Sequence, residues 1–175
     1  MTDFASLALL RESCRNFSDK AVLRDDIVSI LNTALLTPSA CNEQPWKLYV
    51  VDSAENKAIV AKAVQNRGFN KFAEKAQAFI IVEEDLSVKG AAIQKLSKND
   101  FASMDIGELT AYITLAAQDI GISSCILGSF SRKPICEITG IKDGSKIRII
   151  IALGYTDSSP RPKKRKAFDD TVKFV

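Results

Sequence analysis

The 175-residue sequence predicts one domain, spanning residues 1–175, that contains both α-helices and β-strands. Apolar residues recur at helical spacing in five segments, residues 3–11, 20–37, 52–67, 104–120 and 132–138. Each of the last four segments is followed by a short stretch that predicts a strand, at residues 47–51, 79–82, 123–127 and 147–153, and those at 79–82 and 147–153 are apolar enough to be buried. A chain of this length buries roughly 70% of its unfolded surface, so the predicted fold needs no disulfide or metal ion to hold it together.

The composition excludes several kinds of site. The sequence has no histidine, which removes the commonest general base and the commonest metal ligand. Its cysteines, Cys14, Cys41, Cys125 and Cys136, show no C-x-x-C spacing, a pattern that favours reduced thiols in a cytoplasmic protein. No apolar run reaches the roughly 18 residues of a membrane span. We therefore expect no metal site and no membrane partner, and any catalysis must use carboxylates, lysines, backbone amides or a bound cofactor.

The positive charge is concentrated near the C-terminus. The net charge of +3 comes from 24 basic and 21 acidic residues. Five of the basic residues lie within six positions, Arg161, Lys163, Lys164, Arg165 and Lys166, so the rest of the chain is slightly acidic. A nucleic-acid-binding protein normally spreads its positive charge over a face, and we expect no nucleic-acid partner. The cluster suits a single phosphate group, with a localisation signal or a solvated tail as the alternatives.

Residues 37–51, T-P-S-A-C-N-E-Q-P-W-K-L-Y-V-V, form the most informative stretch. Pro38 and Pro45 each bias the preceding residue away from the helical conformation, and Ser39 and Asn42 favour local hydrogen bonds to the backbone. The pattern predicts that a helix ends here and that a rigid loop leads into a strand. Polar groups on such a loop suit a ligand site, although an ordinary helix-to-strand connection would show the same composition.

Two further stretches could contact a ligand. The motif R-E-S-C-R-N-F places Arg11, Ser13 and Arg15 close together after a helix that Asp3 can cap. Guanidinium groups bind phosphate and carbonyl oxygens in pairs, while a solvated basic helix end is the alternative. In G-I-S-S-C-I-L-G-S-F, residues 121–130, Gly128 follows a predicted strand. A glycine there allows a flat ligand to approach the backbone.

Four stretches, in order from Arg11 to Arg165, together resemble the nitroreductase family of FMN-dependent NAD(P)H oxidoreductases. They are similar to the family motifs R-x-S-x-R/K-x-F, P-S-A-x-N-x-Q-P-W, G-L-G-T-C-x-I-G-x-F and G-Y-x(n)-P-K-x-R. The resemblance implies an α+β fold with a central, mainly antiparallel sheet flanked by helices. It also implies an interlocked homodimer with FMN at each of two interfacial sites.

The resemblance assigns cofactor contacts to particular residues. It implies that Arg11, Lys163 and Arg165 bind the FMN phosphate. Ser13 and Arg15 would reach the flavin ring, with Arg15 near its N1/O2 edge. The other positions assigned to the cofactor are Pro38, Ser39, Ala40 and Asn42 in the loop, Asn70 or its neighbour Lys71, and the main chain of Leu127 and Gly128. In the family this loop reaches FMN that is bound mainly by the other subunit.

The implied activity is that of an oxidoreductase with tightly bound FMN. NADH or NADPH would deliver hydride to flavin N5, and a small electron-poor acceptor such as a nitroaromatic or a quinone would then take the electrons in a ping-pong cycle. The flavin carries the chemistry, so no catalytic side chain is assigned. Enone reduction or flavin fragmentation on the same fold is one alternative. A flavin-binding or flavin-free interaction protein without turnover is another.

Three segments carry weaker expectations. Residues 83–99 are polar and predict a mobile loop with a short helix, in a region that covers the substrate side of the flavin in the family. The helix over residues 104–120 is apolar around much of its circumference, which is typical either of a core helix or of a helix at a subunit interface. Residues 171–175 predict a strand that adds to the partner's sheet. Trp46 is expected to pack in the core, and Cys41 has no assigned role.

Overall fold

The computed structural model describes residues 3–175, except the side chain of Arg67, and this part of the chain contains six α-helices and four β-strands. The helices are α1 (Phe4–Leu10), α2 (Arg24–Ala34), α3 (Ala54–Val64), α4 (Val88–Ser97), α5 (Phe101–Asp119) and α6 (Arg132–Thr139). The strands are β1 (Trp46–Val51), β2 (Ala78–Glu84), β3 (Ser123–Leu127) and β4 (Lys146–Gly154).

The four strands form a single sheet in the order β1-β2-β4-β3, and every pair of neighbours is antiparallel. A parallel bridge between Ser13 and Ser124 places the segment that follows α1 along the outer edge of β3. The predicted α+β architecture with an antiparallel central sheet is confirmed. The predicted position of β3, residues 123–127, is confirmed at both ends.

The alternation of side chains along the two central strands produces an apolar layer on each face of the sheet. Phe79, Ile81 and Ile150 point to the face that α3 and α6 cover. Their neighbours Ile80 and Ile151 point to the face that α2 and α5 cover. All of these side chains are fully buried. Because both faces are covered, the positions left for ligand contact are the ends and the edges of the sheet.

Capping side chains, a glycine and an extended residue define the ends of several helices. Asp3 caps α1 by accepting a hydrogen bond of 3.1 Å from the Ser6 N–H, and Asp100 caps α5 in the same way through Ser103. Gly121, at φ 77°, follows the end of α5 as predicted. Helix α2 begins at Arg24 rather than near residue 20, because the residue before it, Leu23, is extended.

Two segments differ from the sequence expectation. Residues 83–99 contain the ten-residue helix α4, longer than the short helix expected there, and its cap is Ser87, which accepts from the Gly90 N–H at 3.0 Å. Residues 171–175 form no strand within this chain, and their pairing with a partner's sheet stays a prediction. The N–H groups of Thr171 and Val172 instead donate to the Phe168 carbonyl in a turn. A strand needs a neighbouring edge for its backbone hydrogen bonds, and within residues 3–175 no strand pairs with this segment.

No helix in the described part of the chain combines the length and the apolar character that crossing a bilayer requires.

The last residue of β4, Gly154, packs against a buried aromatic ring. A Cβ atom at this position would lie 2.7 Å from Cδ1 of Phe17. We expect Gly154→Ala to lower the free energy of unfolding by about 1–3 kcal/mol in chemical denaturation, because a packed ring cannot move aside without strain. Ser123→Ala, which alters the residue paired with Gly154 in β3, is the control and should change it by less than about 0.5 kcal/mol. Equal effects of the two substitutions would contradict this packing argument.

Candidate functional site

The most strongly charged feature is an open cleft of about 600 Å³ between the segment that follows α1 and the basic segment near the C-terminus. We call it the cationic cleft. Its lining residues are Arg11, Glu12, Ser13, Arg15, Arg161, Pro162, Lys163, Lys164 and Arg165. Six of them are basic and one is acidic. The sequence prediction that the two basic motifs share one site is consistent with this placement.

Contacts that cross the cleft hold its two walls together. The Arg161 side chain donates from Nε to Oε2 of Glu12 at 2.9 Å and from Nη2 to the Ser13 carbonyl at 2.8 Å. Lys163 donates from Nζ to the carbonyl oxygen of Arg11. The backbone of residues 11–13 is therefore fixed on one side by the basic segment and on the other by its bridge to β3.

The electrostatics of the cleft indicate an anion site. Partial burial lowers the pKa of the Lys163 ammonium below its ordinary value, and the nearby positive charges of Arg11 and Arg165 lower it further. Among the described residues, Glu12 is the one carboxylate that lines the cleft, and it already forms an ion pair with Arg161. A bound phosphate would supply the negative charge that this cluster lacks, and its oxygens suit guanidinium and ammonium donors.

Inorganic phosphate should therefore stabilise the protein. At ten times its dissociation constant, phosphate should add about 1.4 kcal/mol to the free energy of unfolding, which a thermal melt would detect as a higher Tm. Potassium chloride at the same ionic strength is the control and should raise the Tm much less. The effect should fade as the pH rises through the lowered pKa of Lys163, because the ammonium then loses its charge. Equal responses to phosphate and chloride would contradict a specific anion site.

The loop between α2 and β1 has an unusual backbone. Cys41, Asn42 and Gln44 all adopt left-handed conformations, with φ between 50° and 53°, which is uncommon for residues other than glycine. The Gln44 N–H donates to Oγ of Ser39 at 2.9 Å, and the Asn42 N–H donates to the Ser39 carbonyl at 3.0 Å. Strained residues of this kind cluster at ligand sites, so the conformation supports the predicted role of the loop, which we call loop 39–44.

Two carboxylates tie loop 39–44 to the neighbouring helices. Asp105 of α5 accepts from the Ala40 N–H, with 3.2 Å from the nitrogen to each carboxylate oxygen. Glu43 reaches α4, where its Oε1 accepts from the Ser87 N–H at 2.9 Å. Hydrogen bonds with the side chain and then with the backbone of Ser87 lower the pKa of Glu43 below its ordinary value. At its other end the loop is followed by Trp46, which is buried in the core as predicted.

The cationic cleft and loop 39–44 lie at opposite ends of the sheet. Trp46, just after the loop, is in register with Lys146 across β2. Ser124, which bridges to Ser13, is paired with Leu153. Seven residues of β4 separate these two rows, roughly 23 Å along the strand. The two groups of predicted cofactor contacts are therefore too far apart within one chain to surround the same flavin ring.

The remaining predicted residues lie between these groups or beside them. Leu127 is the last residue of β3 and its side chain is buried, whereas Gly128 is exposed and a Cβ there would meet no atom within 4 Å. The backbone at Gly128 is thus open to a ligand. Asn70 adopts a left-handed conformation at φ 57° and donates from Nδ2 to the Val64 carbonyl at 3.0 Å. That contact fixes the end of α3. The cofactor role assigned to Asn70 or Lys71 stays a prediction.

A family model described as the nitroreductase family matches residues 8–155. The chain belongs to the nitroreductase family. A relative from Archaeoglobus fulgidus, named "Putative NADH dehydrogenase/NAD(P)H nitroreductase", is 33% identical over 174 residues, which cover 96% of this chain and 90% of that protein. The family assignment made from the four sequence motifs is confirmed.

Solved nitroreductase structures share the fold. A nitroreductase family protein from Streptococcus pneumoniae superposes with a TM-score of 0.83 at 24% identity, covering 99% of this chain and 100% of the other. A protein from Exiguobacterium sibiricum, described as a nitroreductase in complex with FMN, gives a TM-score of 0.82 at 24% identity and covers 100% of this chain and 98% of its own.

Three residues that fix the cationic cleft and loop 39–44 received no individual role from the sequence. Glu12 and Arg161 form the ion pair across the cationic cleft, and Asp105 anchors loop 39–44. Only Asp105 left a signal that could have been used. It lies four residues before Leu109, on the buried stripe of α5, where a carboxylate is out of place unless it has a partner.

Proposed function

We propose that this chain is an oxidoreductase that binds FMN tightly and uses NADH or NADPH to reduce small electron-poor acceptors such as nitroaromatics and quinones. The observation that carries the proposal is the cationic cleft. Three of its six basic residues, Arg11, Lys163 and Arg165, are those that the family resemblance assigns to the FMN phosphate, and the one carboxylate among its described lining residues is already paired. The charge and the donor groups of the cleft fit a phosphate monoester.

Each part of the site has a binding or orienting role in this proposal. Arg11, Lys163 and Arg165 hold the FMN phosphate, and the fixed backbone of residues 11–13 presents Arg15 toward the ring. A cation near the N1/O2 edge favours a flavin that carries extra negative charge, and so favours its reduced form. Bound FMN supplies the hydride chemistry that the side chains of this chain lack.

We propose that the working form is a homodimer with FMN at the interface. The separation of the cationic cleft from loop 39–44 supports this, because a second chain could place its loop where the first chain places its cleft. The chain also exposes large apolar side chains that are typical of an interface. They lie in α1, at the end of α2, in α5 and near the C-terminus, and include Phe4, Leu9, Leu36, Met104 and Phe174.

An absorption spectrum followed by anaerobic titration tests the proposal. We expect a yellow protein with a flavin spectrum that bleaches when NADH or NADPH is added and returns when a nitroaromatic or a quinone follows. A colourless protein that does not bind added FMN would contradict the whole proposal. A yellow protein that is reduced by neither NADH nor NADPH would contradict the proposed enzyme activity. It would favour the alternative of a flavin-binding protein without turnover.

A further inference from the structure

Asp105 is a buried carboxylate in an apolar setting. Its exposed fraction is 5%, and the residual cavity of about 20 Å³ beside it is lined mostly by apolar residues such as Ile93 and Phe101, with Glu43 as a second carboxylate. Aspartate is seldom buried to this extent without a partner, because removing a charge from water is unfavourable. Among the side chains that the structure describes, which do not include that of Arg67, no basic group forms a salt bridge with Asp105.

The hydrogen-bond partner of Asp105 is a backbone group 65 residues away in sequence. The Ala40 N–H points between the two carboxylate oxygens, at 3.2 Å from each. A hydrogen bond to an ionised acceptor is stronger than one between neutral groups, and the apolar surroundings strengthen it further. The attachment therefore fixes the position of Ala40 relative to α5.

The residues that follow Ala40 depend on this attachment. The left-handed turn at Cys41, Asn42 and Gln44 is strained, and such conformations persist only where the surroundings hold them. The contacts inside loop 39–44 close the turn on itself but do not fix it to the sheet. Asp105 attaches the turn to α5 at its start, and Glu43 attaches it to α4 at its other side.

We propose that Asp105 is a positioning residue, which acts through the Ala40 amide to hold loop 39–44 in the conformation that receives the FMN ring. It makes no contact with the reacting atoms. The inference rests on the proposed function for the identity of the cofactor, whereas the hold of Asp105 on the loop is a property of the protein itself.

Amide hydrogen exchange of the FMN-free protein tests directly whether Asp105 restrains loop 39–44. In Asp105→Ala the amides of residues 40–44 should exchange about tenfold faster or more, because a hydrogen bond to a charged group is lost. Asp105→Asn keeps the shape and a carbonyl acceptor, so it should restore most of the protection. Glu108→Ala, which removes an exposed carboxylate from the same helix, is the matched control and should leave these amides unchanged.

Flavin titrations of the same variants test whether this restraint of the loop strengthens cofactor binding. Asp105→Ala should weaken the binding of FMN and of riboflavin by the same factor, about tenfold or more, because the proposal places loop 39–44 against the ring, which both ligands share. Its Tm shift with inorganic phosphate should equal that of the unaltered protein, since the cationic cleft is distant. Asp105→Asn should recover most of the affinity.

The outcomes separate the two proposals. An unaltered protein that binds no flavin would overturn the proposed function, while the exchange experiment would still decide the role of Asp105. Exchange rates in Asp105→Ala that match the unaltered protein would overturn the positioning role. If Asp105→Ala does not fold, the test depends on Asp105→Asn, which keeps a carbonyl acceptor for the Ala40 N–H. Full exchange of the amides of residues 40–44 in Asp105→Asn would also overturn the positioning role, because the retained acceptor should hold the loop in place.

Discussion

Replacing Arg165 with alanine should weaken FMN binding by about 10- to 100-fold. Arg165 lines the cationic cleft, and its proximity contributes to the lowered pKa of Lys163. A hydrogen bond between charged groups typically contributes about 1.5–3 kcal/mol, and the guanidinium group can offer two such bonds to one phosphate. A flavin fluorescence titration measures the change.

Two controls make this result specific. Lys166→Ala removes the same charge one position further along, from a side chain that does not line the cleft, and should change the affinity by less than about threefold since exposed charges interact weakly. Riboflavin, which lacks the phosphate, should bind Arg165→Ala and the unaltered protein equally well. If the substitution weakens riboflavin binding as much as FMN binding, Arg165 does not act on the phosphate.

The second large effect concerns stability. Glu84→Ala should lower the free energy of unfolding by about 3 kcal/mol, because it removes the buried carboxylate that pairs with both Lys146 and Arg148. The Glu84 side chain is 7% exposed. It accepts from Nζ of Lys146 at 3.0 Å and from both Nε and Nη2 of Arg148, at 2.5 Å from Nε. Arg148 in turn lies 3.6 Å from the Asp100 cap of α5.

Thermal melts measure this loss, which should lower the Tm by about 6–12 °C in a chain of this size. Lys146→Ala is the control, since its side chain is 59% exposed and the pair should contribute less than about 1 kcal/mol. In the double variant Glu84→Ala with Arg148→Ala, the total loss should be smaller than the sum of the single losses, because each single substitution already removes the pair between these two side chains. A strictly additive result would show that the interaction between Glu84 and Arg148 contributes nothing.

Local patterns were sufficient to predict most helices and strands, whereas the antiparallel order of the sheet came from the family resemblance. The strand at residues 123–127 lies between Gly121 and Gly128, and glycines at such positions mark both ends of a strand. The stripe along α5 repeats every three or four residues, and the structure buries it against the sheet. Periodicity and turn residues report the conformation of the chain around them, so they predict elements well.

Contacts between distant residues left little trace in the sequence. The bond from Ala40 to Asp105 joins positions 65 apart, and that from Arg161 to Glu12 joins positions 149 apart. Neither residue type at those positions requires the other. The conformation of residues 171–175 also depends on a distant contact, since a strand forms only where an unpaired sheet edge is available for its backbone hydrogen bonds. The basic motifs at both ends of the chain were assigned to one cleft only through the family resemblance.

The roughly 23 Å between the cationic cleft and loop 39–44 has a consequence for genetics. In the proposed dimer, a subunit damaged in the cleft and a subunit damaged in the loop would carry their defects at different sites. Paired together, Arg165→Ala and Asp105→Ala subunits would form one site with both defects and one with neither. Random assortment in a two-fold dimer would leave about a quarter of all sites intact. Co-expression of two impaired alleles should thus restore part of the activity that each lacks alone.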